Sequence, residues 1–311
     1  MVTPQTVVSA LVRLGVFFPT KESVPVEQQI DRFRDLEQRG FASGWLPQST
    51  GFDALTVLAL AGSRVPRLEL GTAVIPTYPR HPIVLAEQAL TASAAMGGRL
   101  VLGLGLSHRK TIEGAYGLSY DRPARHMREY LAALLPLLRE GVADVTGETV
   151  AARIALNTPG AATPPVLLAA LQPRMLALAG GAADGTITWC TGPVTVEEQI
   201  VPLIRAAAAE AGRPAPRICV ALPTIVTDDE AYGRQMGDAQ LEGYGDLPVY
   251  RAVLDREGVD GPGDISVVGD EASVTSQLRH LEAIGATDFI AIPTGSADDR
   301  ARTLDALASL S

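Results

Sequence analysis

Hydrophobic residues recur along the chain with two different spacings. Short continuous apolar runs are typical of strands buried in a parallel sheet, and longer segments with a period near 3.6 residues are typical of amphipathic helices. The pattern predicts strands at Leu14–Phe18, Ser43–Leu46, Leu68–Ile75, Leu100–Gly105, Val166–Ala170, Thr186–Trp189, Ile218–Val226 and Asp288–Ile292. It predicts helices at Val26–Arg39, Ala54–Ser63, Ile83–Met96, Ala124–Arg139, Arg174–Ala182, Val196–Ala211, Asp229–Glu257, Ser273–Ile284 and Ala297–Leu307.

Eight alternating strand–helix units favour an α/β fold, a closed (β/α)8 TIM barrel, over an open sheet. The alternative is a Rossmann domain that binds a dinucleotide through GLGLSH, residues 103–108. That motif lacks the third glycine of the dinucleotide fingerprint, and no helix is predicted directly after it. We therefore expect a single barrel domain over residues 1–311, with inserted excursions near 142–165 and 232–264.

The third predicted strand runs into a proline-rich loop. The segment IPTYPRHP, residues 75–82, contains Pro76, Pro79 and Pro82. Proline cannot donate to a sheet ladder and is normally kept out of strand interiors. The prolines either only terminate the strand or form a rigid loop that holds a flat ligand, because barrel active sites lie at the C-terminal ends of the strands.

The loop after the fourth predicted strand, residues 105–126, is long for such a connection and rich in basic side chains. These are His108, Arg109, Lys110, Arg122, Arg125 and His126. They indicate either an anionic ligand held by charge-assisted hydrogen bonds or a solvated loop with local ion pairs. His108 follows Gly105 by three residues, so it is a candidate proton donor to a bound ring, with a structural role as the alternative.

Structural roles are predicted for two other histidines and for the aromatic residues near the strand ends. His81 is expected to order the start of a helix, and His280 is expected to be solvated on a helix. Packing roles are expected for Trp45, Tyr78, Trp189 and Cys190, with Trp45 bordering the cavity as an alternative.

Composition narrows the class of protein. Of 311 residues, 47% are hydrophobic and 20% charged, which is enough apolar surface for a large core. The net charge of −9 disfavours binding to nucleic acid or anionic membranes. Cys190 and Cys219 form neither a disulfide framework nor a metal-binding spacing. Because the sequence shows no secretory signal pattern and no membrane-spanning apolar run, we expect a cytoplasmic protein.

The sequence lacks the motifs of several common chemistries. H-E-x-x-H, C-x-x-C, G-x-S-x-G and the P-loop are absent, and no pair of carboxylates suited to glycoside hydrolysis follows the predicted strands. We therefore expect no metal site. A barrel without metal ligands or an evident nucleophile is expected to take its reactivity from a bound organic cofactor.

The segment LELGTAVIPTYPRHPIVLAEQALTASAAMGGRLVLGLGLSH, residues 68–108, resembles the core of the luciferase-like monooxygenase family. Members of that family are (β/α)8 barrels that bind FMN or the deazaflavin coenzyme F420. The segment GLSYDRPARHMREYL, residues 117–131, is similar to the F420-dependent branch. The resemblance extends over nearly the whole chain.

The resemblance implies a cofactor site. It implies a cis peptide at Ala73–Val74, which forms a bulge against the cofactor ring, and a phosphate-side contact at Thr191. The positions matched to the cofactor site are Gln48, Thr72, Ala73, Val74, Leu106, Ser107, Thr111, Ala170, Leu171, Gln172 and Thr191. Candidates for the anionic tail of F420 are Arg109, Lys110, Arg122 and Arg125, and this charge favours F420 over FMN.

The sequence departs from the sugar-phosphate dehydrogenases of this family, which carry an Asp-His pair after the second strand. Gln48 and Ser49 occupy those positions here, and His108 stands where those enzymes have a glutamate. We therefore expect an oxidoreductase that transfers hydride between F420 and another small organic substrate, with His108 as the candidate catalytic residue. The alternatives are an FMN-dependent monooxygenase and a non-catalytic flavin- or deazaflavin-binding barrel. Family resemblance is also compatible with a homodimer.

Overall fold

The computed structural model describes residues 12–19 and 24–310. The N-terminal segment, for which no signal pattern was predicted, lies largely outside these residues. Within them the strands are β1 (Arg13–Phe17), β2 (Ser43–Leu46), β3 (Glu69–Thr72), β4 (Ile75–Pro76), β5 (Leu100–Gly105), β6 (Val142–Thr146), β7 (Ala151–Ala155), β8 (Val166–Ala169), β9 (Gly185–Trp189), β10 (Arg217–Val226), β11 (Val267–Gly269) and β12 (Asp288–Pro293).

Helices surround these strands. They are α1 (Val26–Gln38), α2 (Ala54–Gly62), α3 (Pro82–Ala95), α4 (Arg109–Gly114), α5 (Pro123–Arg139), α6 (Pro173–Gly181), α7 (Pro193–Thr195), α8 (Val201–Glu210), α9 (Glu230–Gln240), α10 (Pro248–Glu257), α11 (Glu271–Ala283) and α12 (Ala297–Ala308). A π-helical turn, Val196–Ile200, joins α7 to α8, and a 3-10 turn, Pro262–Ile265, follows α10. Within the described ranges, no helix combines the length and the apolar character needed to cross a membrane.

Eight of the strands close into a parallel barrel. Their order is β1, β2, β3, β5, β8, β9, β10 and β12, and β12 pairs with β1 to complete the circle. The predicted α/β (β/α)8 barrel is confirmed. The strands carry side chains into two cores, one inside the barrel and a larger one between the strands and the helices.

Local sequence signals explain several helix starts. The Asp53 carboxylate accepts a hydrogen bond from the Thr56 N–H at 2.9 Å and caps α2. Asp270 caps α11 in the same way. His81 Nδ1 accepts from the Ile83 N–H at 3.3 Å and caps α3, which confirms the helix-starting role predicted for this histidine.

The predicted strand Leu68–Ile75 is interrupted, as the resemblance implied. Gly71 pairs with Val101 and Ile75 with Leu104, so β3 and β4 span one residue more than the facing segment of β5. The extra residue makes a bulge, and the peptide bond between Ala73 and Val74 is cis. The Thr72 hydroxyl bridges the gap, since it donates to the Gly103 carbonyl and accepts from the Gly103 N–H, both at 2.9 Å.

Other predictions of secondary structure were wrong in part. A helix, α4, does follow GLGLSH directly, but the third glycine of a Rossmann motif is missing and the sheet is a closed barrel. The first excursion contains an antiparallel hairpin, β6–β7. The predicted helix Asp229–Glu257 is two helices, α9 and α10, because Gly243, at φ +79°, and Pro248 separate them. The short strand β11 extends the sheet beside the end of β10.

The N-terminal end of the barrel is closed by charged side chains. Arg217, the first residue of β10, donates to both carboxylate oxygens of Asp288 at 2.9 and 2.6 Å and to Glu69 at 2.6 Å. Arg13 lies 3.4 Å from each of the same two acids. The Arg217 guanidinium also lies 6.0 Å from the Trp45 ring centroid inside the barrel. This network therefore stands at the end opposite to the mouth described next.

Candidate active site

The C-terminal end of the barrel opens as a mouth with an apolar floor. Inside the barrel, side chains such as Trp45 and Ile290 are fully buried. Packed on them are Ala73, Val74, Ala169 and Trp189, which are only half-buried. A flat apolar group would cover these side chains and remove them from water, which favours binding in this position. The predicted packing role of Trp45 is confirmed, and its indole N–H donates to Ser43 Oγ at 2.8 Å.

Loops on both sides hold the bulge in place. The Ala73 N–H donates to the Leu46 carbonyl at 2.8 Å, and the Gln48 N–H approaches the Val74 carbonyl at 3.4 Å. On the other side, the Thr77 N–H donates to the Gly105 carbonyl at 3.0 Å. The cis peptide therefore lies between the loops that follow β2 and β5, at the edge of the mouth.

Gln48 belongs to a polar cluster beside the bulge. Its side-chain oxygen accepts from the Ala54 N–H at 2.9 Å and from Arg80 at 3.3 Å. Arg80 also pairs with Asp53, and its Nη1 is buried with no hydrogen-bond partner among the described residues. Arg80 was not among the residues predicted for the site. Its position between Pro79 and Pro82 nevertheless indicated a rigid backbone.

A cavity of about 740 Å³ lies beside the loops that follow β1 and β2. Its apolar lining includes Phe18, Leu46, Pro47 and Phe52. This volume falls within the range of small-molecule sites, roughly 300 to 1,000 Å³. Space for an organic ligand is therefore present on the Gln48 side of the barrel.

The chain turns sharply after β5. Ser107 has a left-handed backbone at φ +59°, which non-glycine residues seldom adopt. The Tyr120 hydroxyl donates to the Ser107 carbonyl at 3.0 Å and supports this turn. Leu106, Ser107 and His108 are half-buried at the mouth, whereas Thr111 is exposed on α4.

His108 belongs to a group of rings that we name the aromatic wall: Phe17, His108, Trp189, Tyr244 and Tyr250. Ring centroids lie 5.1 Å apart for Phe17 and Trp189, 5.8 Å for Trp189 and Tyr244, and 6.3 Å for Tyr244 and His108. Burial lowers the pKa of His108, so its imidazole is neutral at pH 7. Tyr244 and Tyr250 come from the second excursion, and no pattern in the sequence pointed to them.

A second group of rings lies under the basic loop. His126 stacks on Tyr78 with centroids 4.0 Å apart, and its Nε2 lies 3.1 Å from the Thr77 hydroxyl oxygen. Burial lowers the pKa of His126 to about 4, although the charge of Glu129 opposes this shift. Burial also raises the pKa of Tyr78 to about 12. His126 therefore does not add to the positive charge of the loop at neutral pH.

The arginines of the same loop are paired locally. Arg109 pairs with Glu113, and both Arg122 and Arg125 pair with Glu148 in the turn of the β6–β7 hairpin. Exposed pairs of this kind contribute little to stability. The arrangement agrees with the local-pairing interpretation and leaves both arginines at the rim accessible to a stronger anion.

The loops after β8 and β9 complete the rim. Ala170 is buried, Gln172 is exposed, and the Leu171 carbonyl accepts from Gln199 Nε2 at 2.6 Å. Thr191 is fully buried, and its hydroxyl donates to the Trp189 carbonyl at 2.9 Å. The Thr191 hydroxyl hydrogen is therefore already donated to the backbone at the end of β9.

Cys190 lies at the end of β9, where its backbone is left-handed at φ +51°. Burial raises the pKa of its thiol to about 12, so the thiol stays protonated and unreactive at neutral pH. The packing role predicted for Cys190 agrees with its burial. Elsewhere in the part of the chain that the structure describes, no cluster of three or more His, Cys, Asp or Glu residues is arranged to hold a metal ion.

Comparison with known proteins agrees with this geometry. Residues 11–309 match the family model described as luciferase-like monooxygenase. A Mycobacterium tuberculosis protein, provisionally named a coenzyme F420-dependent oxidoreductase, is 28% identical over 350 residues, covering 95% of this chain and 98% of the relative.

Two solved structures share the fold. Coenzyme F420-dependent tetrahydromethanopterin reductase from Methanopyrus kandleri superimposes with a TM-score of 0.82 at 20% identity, covering 96% of this chain and 98% of that one. The oxygenating constituent of 3,6-diketocamphane monooxygenase from Pseudomonas putida, in complex with FMN, gives 0.76 at 16% identity and coverages of 96% and 97%.

The barrel, the bulge and the position of the mouth are those of a (β/α)8 enzyme whose site lies at the C-terminal strand ends. The chain belongs to the luciferase-like monooxygenase family. The expectation of an oxidoreductase enzyme that uses a flavin or a deazaflavin is confirmed at this level.

Proposed function

We propose that the protein is an F420-dependent oxidoreductase that transfers hydride between the deazaflavin and a small organic substrate. The observation that carries the proposal is the bulge at Ala73–Val74, which presents backbone and half-buried apolar side chains at the mouth of the barrel. The name of the Mycobacterium relative, which aligns with 95% of the chain, supports F420 as the cofactor.

The residues of the mouth suit a flat ring with polar edges. Ala73, Val74 and Ala169 would lie against the ring, and small side chains there leave room for it. Gln48 and the Ser107 turn would meet its polar edge. When bound, the deazaflavin supplies the atom that donates or accepts hydride.

Side chains at the rim would bind the remainder of the cofactor. Arg122 and Arg125 would bind the anionic tail by charge-assisted hydrogen bonds. The loops at Leu171–Gln172 and Thr191 lie on the adjoining part of the rim, after β8 and β9, since β8 pairs with β5. The tail therefore has two segments of the rim to follow, one of them basic.

The protein's own contribution would be orientation, exclusion of water and a proton. The aromatic wall lines one side of the mouth and keeps water from the reacting atoms. His108, neutral at pH 7, would accept a proton from a substrate that loses hydride. In the reverse direction, the protonated imidazole would donate that proton to a substrate that gains hydride. If the His108→Ala variant kept full activity, His108 would have no role in the proton transfer.

An FMN-dependent monooxygenase is the second candidate. It is favoured by the pairing of Arg122 and Arg125 with Glu148, which reduces the positive charge offered to a polyanionic tail. It is also favoured by the FMN complex that shares the fold. FMN carries a single phosphate, so it needs less basic surface than F420 does.

Equilibrium titration of the purified protein with F420 and separately with FMN tests the proposal, with cofactor fluorescence as the readout. We expect F420 to bind at least about ten-fold more tightly than FMN, a difference of about 1.4 kcal/mol. Tight binding of FMN alone would favour the monooxygenase. Binding of neither would contradict both functions, and binding of F420 without reduction of any substrate would favour a non-catalytic carrier.

A further inference from the structure

The start of the helix after β9 is occupied by a carboxylate of the chain itself. Glu257 Oε1 accepts from the Thr195 N–H at 2.7 Å, and Oε2 accepts from the Val194 N–H at 3.1 Å. The carboxylate also packs on Gly192, where an added Cβ would lie 2.5 Å from Oε2. Free N–H groups at a helix start attract anions.

This contact changes what the rim can bind. The two donors that would hold a phosphate or a carboxylate of a substrate are satisfied by Glu257. An anionic substrate would have to displace that side chain and would meet its negative charge at short range, which costs several kcal/mol when like charges are juxtaposed. An uncharged substrate meets no such barrier.

The same contact positions part of the aromatic wall. Glu257 is the last residue of α10, and Tyr250 lies in that helix. Tyr244 precedes α10, and its ring lies 5.1 Å from that of Tyr250. The carboxylate therefore fixes the helix that brings both tyrosines to His108 and Trp189.

The wall itself offers no formal charge at neutral pH. Burial raises the pKa of Tyr244, which the neighbouring Trp189 indole opposes, and burial raises the pKa of Tyr250 further. Arg109, one residue after His108, pairs with Glu113 and stacks 5.4 Å from the Tyr120 ring. Aromatic surfaces without an accessible counter-charge favour apolar and aromatic groups.

We propose that the space beside His108 receives an uncharged, largely apolar organic substrate, and that Glu257 excludes anionic ones by occupying the Val194 and Thr195 donors. This deepens the proposed function and rests on it. Glu257 acts as a specificity-determining residue that does not touch the reacting atoms. Binding of phosphorylated substrates is therefore disfavoured at this part of the rim.

Isothermal titration calorimetry with three matched probes tests the proposal on the F420-saturated protein and on the protein without cofactor. The probes are acetophenone, benzoate and phenyl phosphate, which share one ring and differ in charge. The wild type should bind acetophenone at least about ten-fold more tightly than either anion. Glu257→Gln should improve binding of phenyl phosphate relative to acetophenone about ten-fold, and this ratio cancels any shift of the wall tyrosines that affects both probes alike.

Asp255→Asn is the matched control, because Asp255 is an exposed acid on the same helix turn that pairs with Arg251 at 2.8 Å. It should leave all three affinities unchanged. A wild type that binds an anion as tightly as acetophenone, or binds no acetophenone in either form, would overturn the proposal. So would Glu257→Gln without a gain for phenyl phosphate, provided that its circular dichroism matches that of the wild type.

The two proposals fail in distinguishable ways. If F420 does not bind but the protein without cofactor still prefers acetophenone and Glu257→Gln still gains phenyl phosphate, the cofactor is wrong and the substrate class stands. If F420 binds and the probe preference is absent, the substrate class is wrong. A change in Trp189 fluorescence on acetophenone binding, absent in Trp189→Phe, would place the probe at the aromatic wall.

Discussion

Protonation of His126 makes the stability of the fold depend on pH. Its ring lies against Tyr78 and its Nε2 contacts the Thr77 hydroxyl, so protonation would place a charge in a buried stack. Burial lowers its pKa from 6.5 to about 4, against the opposing influence of Glu129. Because the unfolded chain then binds more protons than the folded one between these values, stability is complete above pH 6.5 and falls as the pH drops toward 4.

We expect this one group to lower the free energy of unfolding by roughly 2 kcal/mol between pH 7.5 and pH 5. Urea unfolding at both pH values measures the change. His126→Gln should remove that part of the pH dependence, whatever its effect on stability at pH 7.5. His280→Gln, at an exposed position, should retain it. An unchanged pH dependence in His126→Gln would contradict the prediction.

Some individual residues could be predicted from sequence because their roles are local. The cap formed by His81 follows from a few neighbouring residues, and the cis peptide at Ala73–Val74 was implied by the resemblance of the segment around it to a known family. Glu257 and Tyr244 could not be predicted, since their partners are more than 50 residues away in the chain. Only the folded barrel brings such distant residues to one rim.

Among the elements, the β6–β7 hairpin places a carboxylate beside the loop for which the sequence predicted either an anionic ligand or local ion pairs. Glu148 pairs with Arg122 and Arg125, and the side chains of Arg122 and Glu148 are 57% and 58% exposed. Pairs this exposed contribute at most about 1 kcal/mol, so a ligand with several negative charges can replace the carboxylate. Under the proposed function, the hairpin would compete with the cofactor tail for the same arginines.

Removing that competitor should strengthen F420 binding. We expect Glu148→Gln to lower the dissociation constant of F420 about two- to five-fold at low salt, and the gain to shrink as salt rises. FMN, with a shorter tail, should be unaffected. Asp144→Asn is the control, because Asp144 lies on the same hairpin but pairs with Arg153. An Arg122→Glu, Arg125→Glu double variant with wild-type F420 affinity would exclude these arginines from the site.

The elements themselves were predictable where burial is uniform. Strands such as β5 and β8 read as continuous apolar runs because nearly every side chain in them is buried. Strands β6 and β7 escaped prediction because most of their side chains are exposed, so their sequences carry neither an apolar run nor a clear alternation. The two helices of the second excursion were predicted as one, since their separation is marked only by Gly243, Gly245 and Pro248.

The two ends of the barrel differ in role: one end is suited to binding a ligand, and the other stabilises the fold. The mouth exposes apolar side chains and holds loosely paired charges, as a binding site requires. The N-terminal end is sealed by Arg217, Asp288 and Glu69, of which the Asp288 side chain is only 2% exposed. Burial opposes the charge on Arg217, but hydrogen bonds to Asp288 and Glu69 outweigh it and raise the pKa of the guanidinium above its usual value.

This separation predicts a variant that loses stability and keeps its ligand. Arg217→Met leaves the Asp288 carboxylate buried without its main partner, so we expect unfolding to become easier by about 3 to 5 kcal/mol in urea titrations. Adding Asp288→Asn should recover part of the loss, because it removes the stranded charge. Arg153→Met, which removes an exposed arginine, should change the free energy of unfolding by less than about 0.5 kcal/mol.

The affinity of folded Arg217→Met for F420 should equal that of the wild type, since the ion network and the mouth lie at opposite ends of the strands. Fluorescence titration at a temperature well below its unfolding midpoint measures this. Loss of affinity together with stability would mean that the two ends are coupled through the barrel interior, where the Trp45 ring lies 6.0 Å from Arg217. Loss of neither would mean that Arg13, 3.4 Å from Asp288, is a sufficient partner for the buried carboxylate.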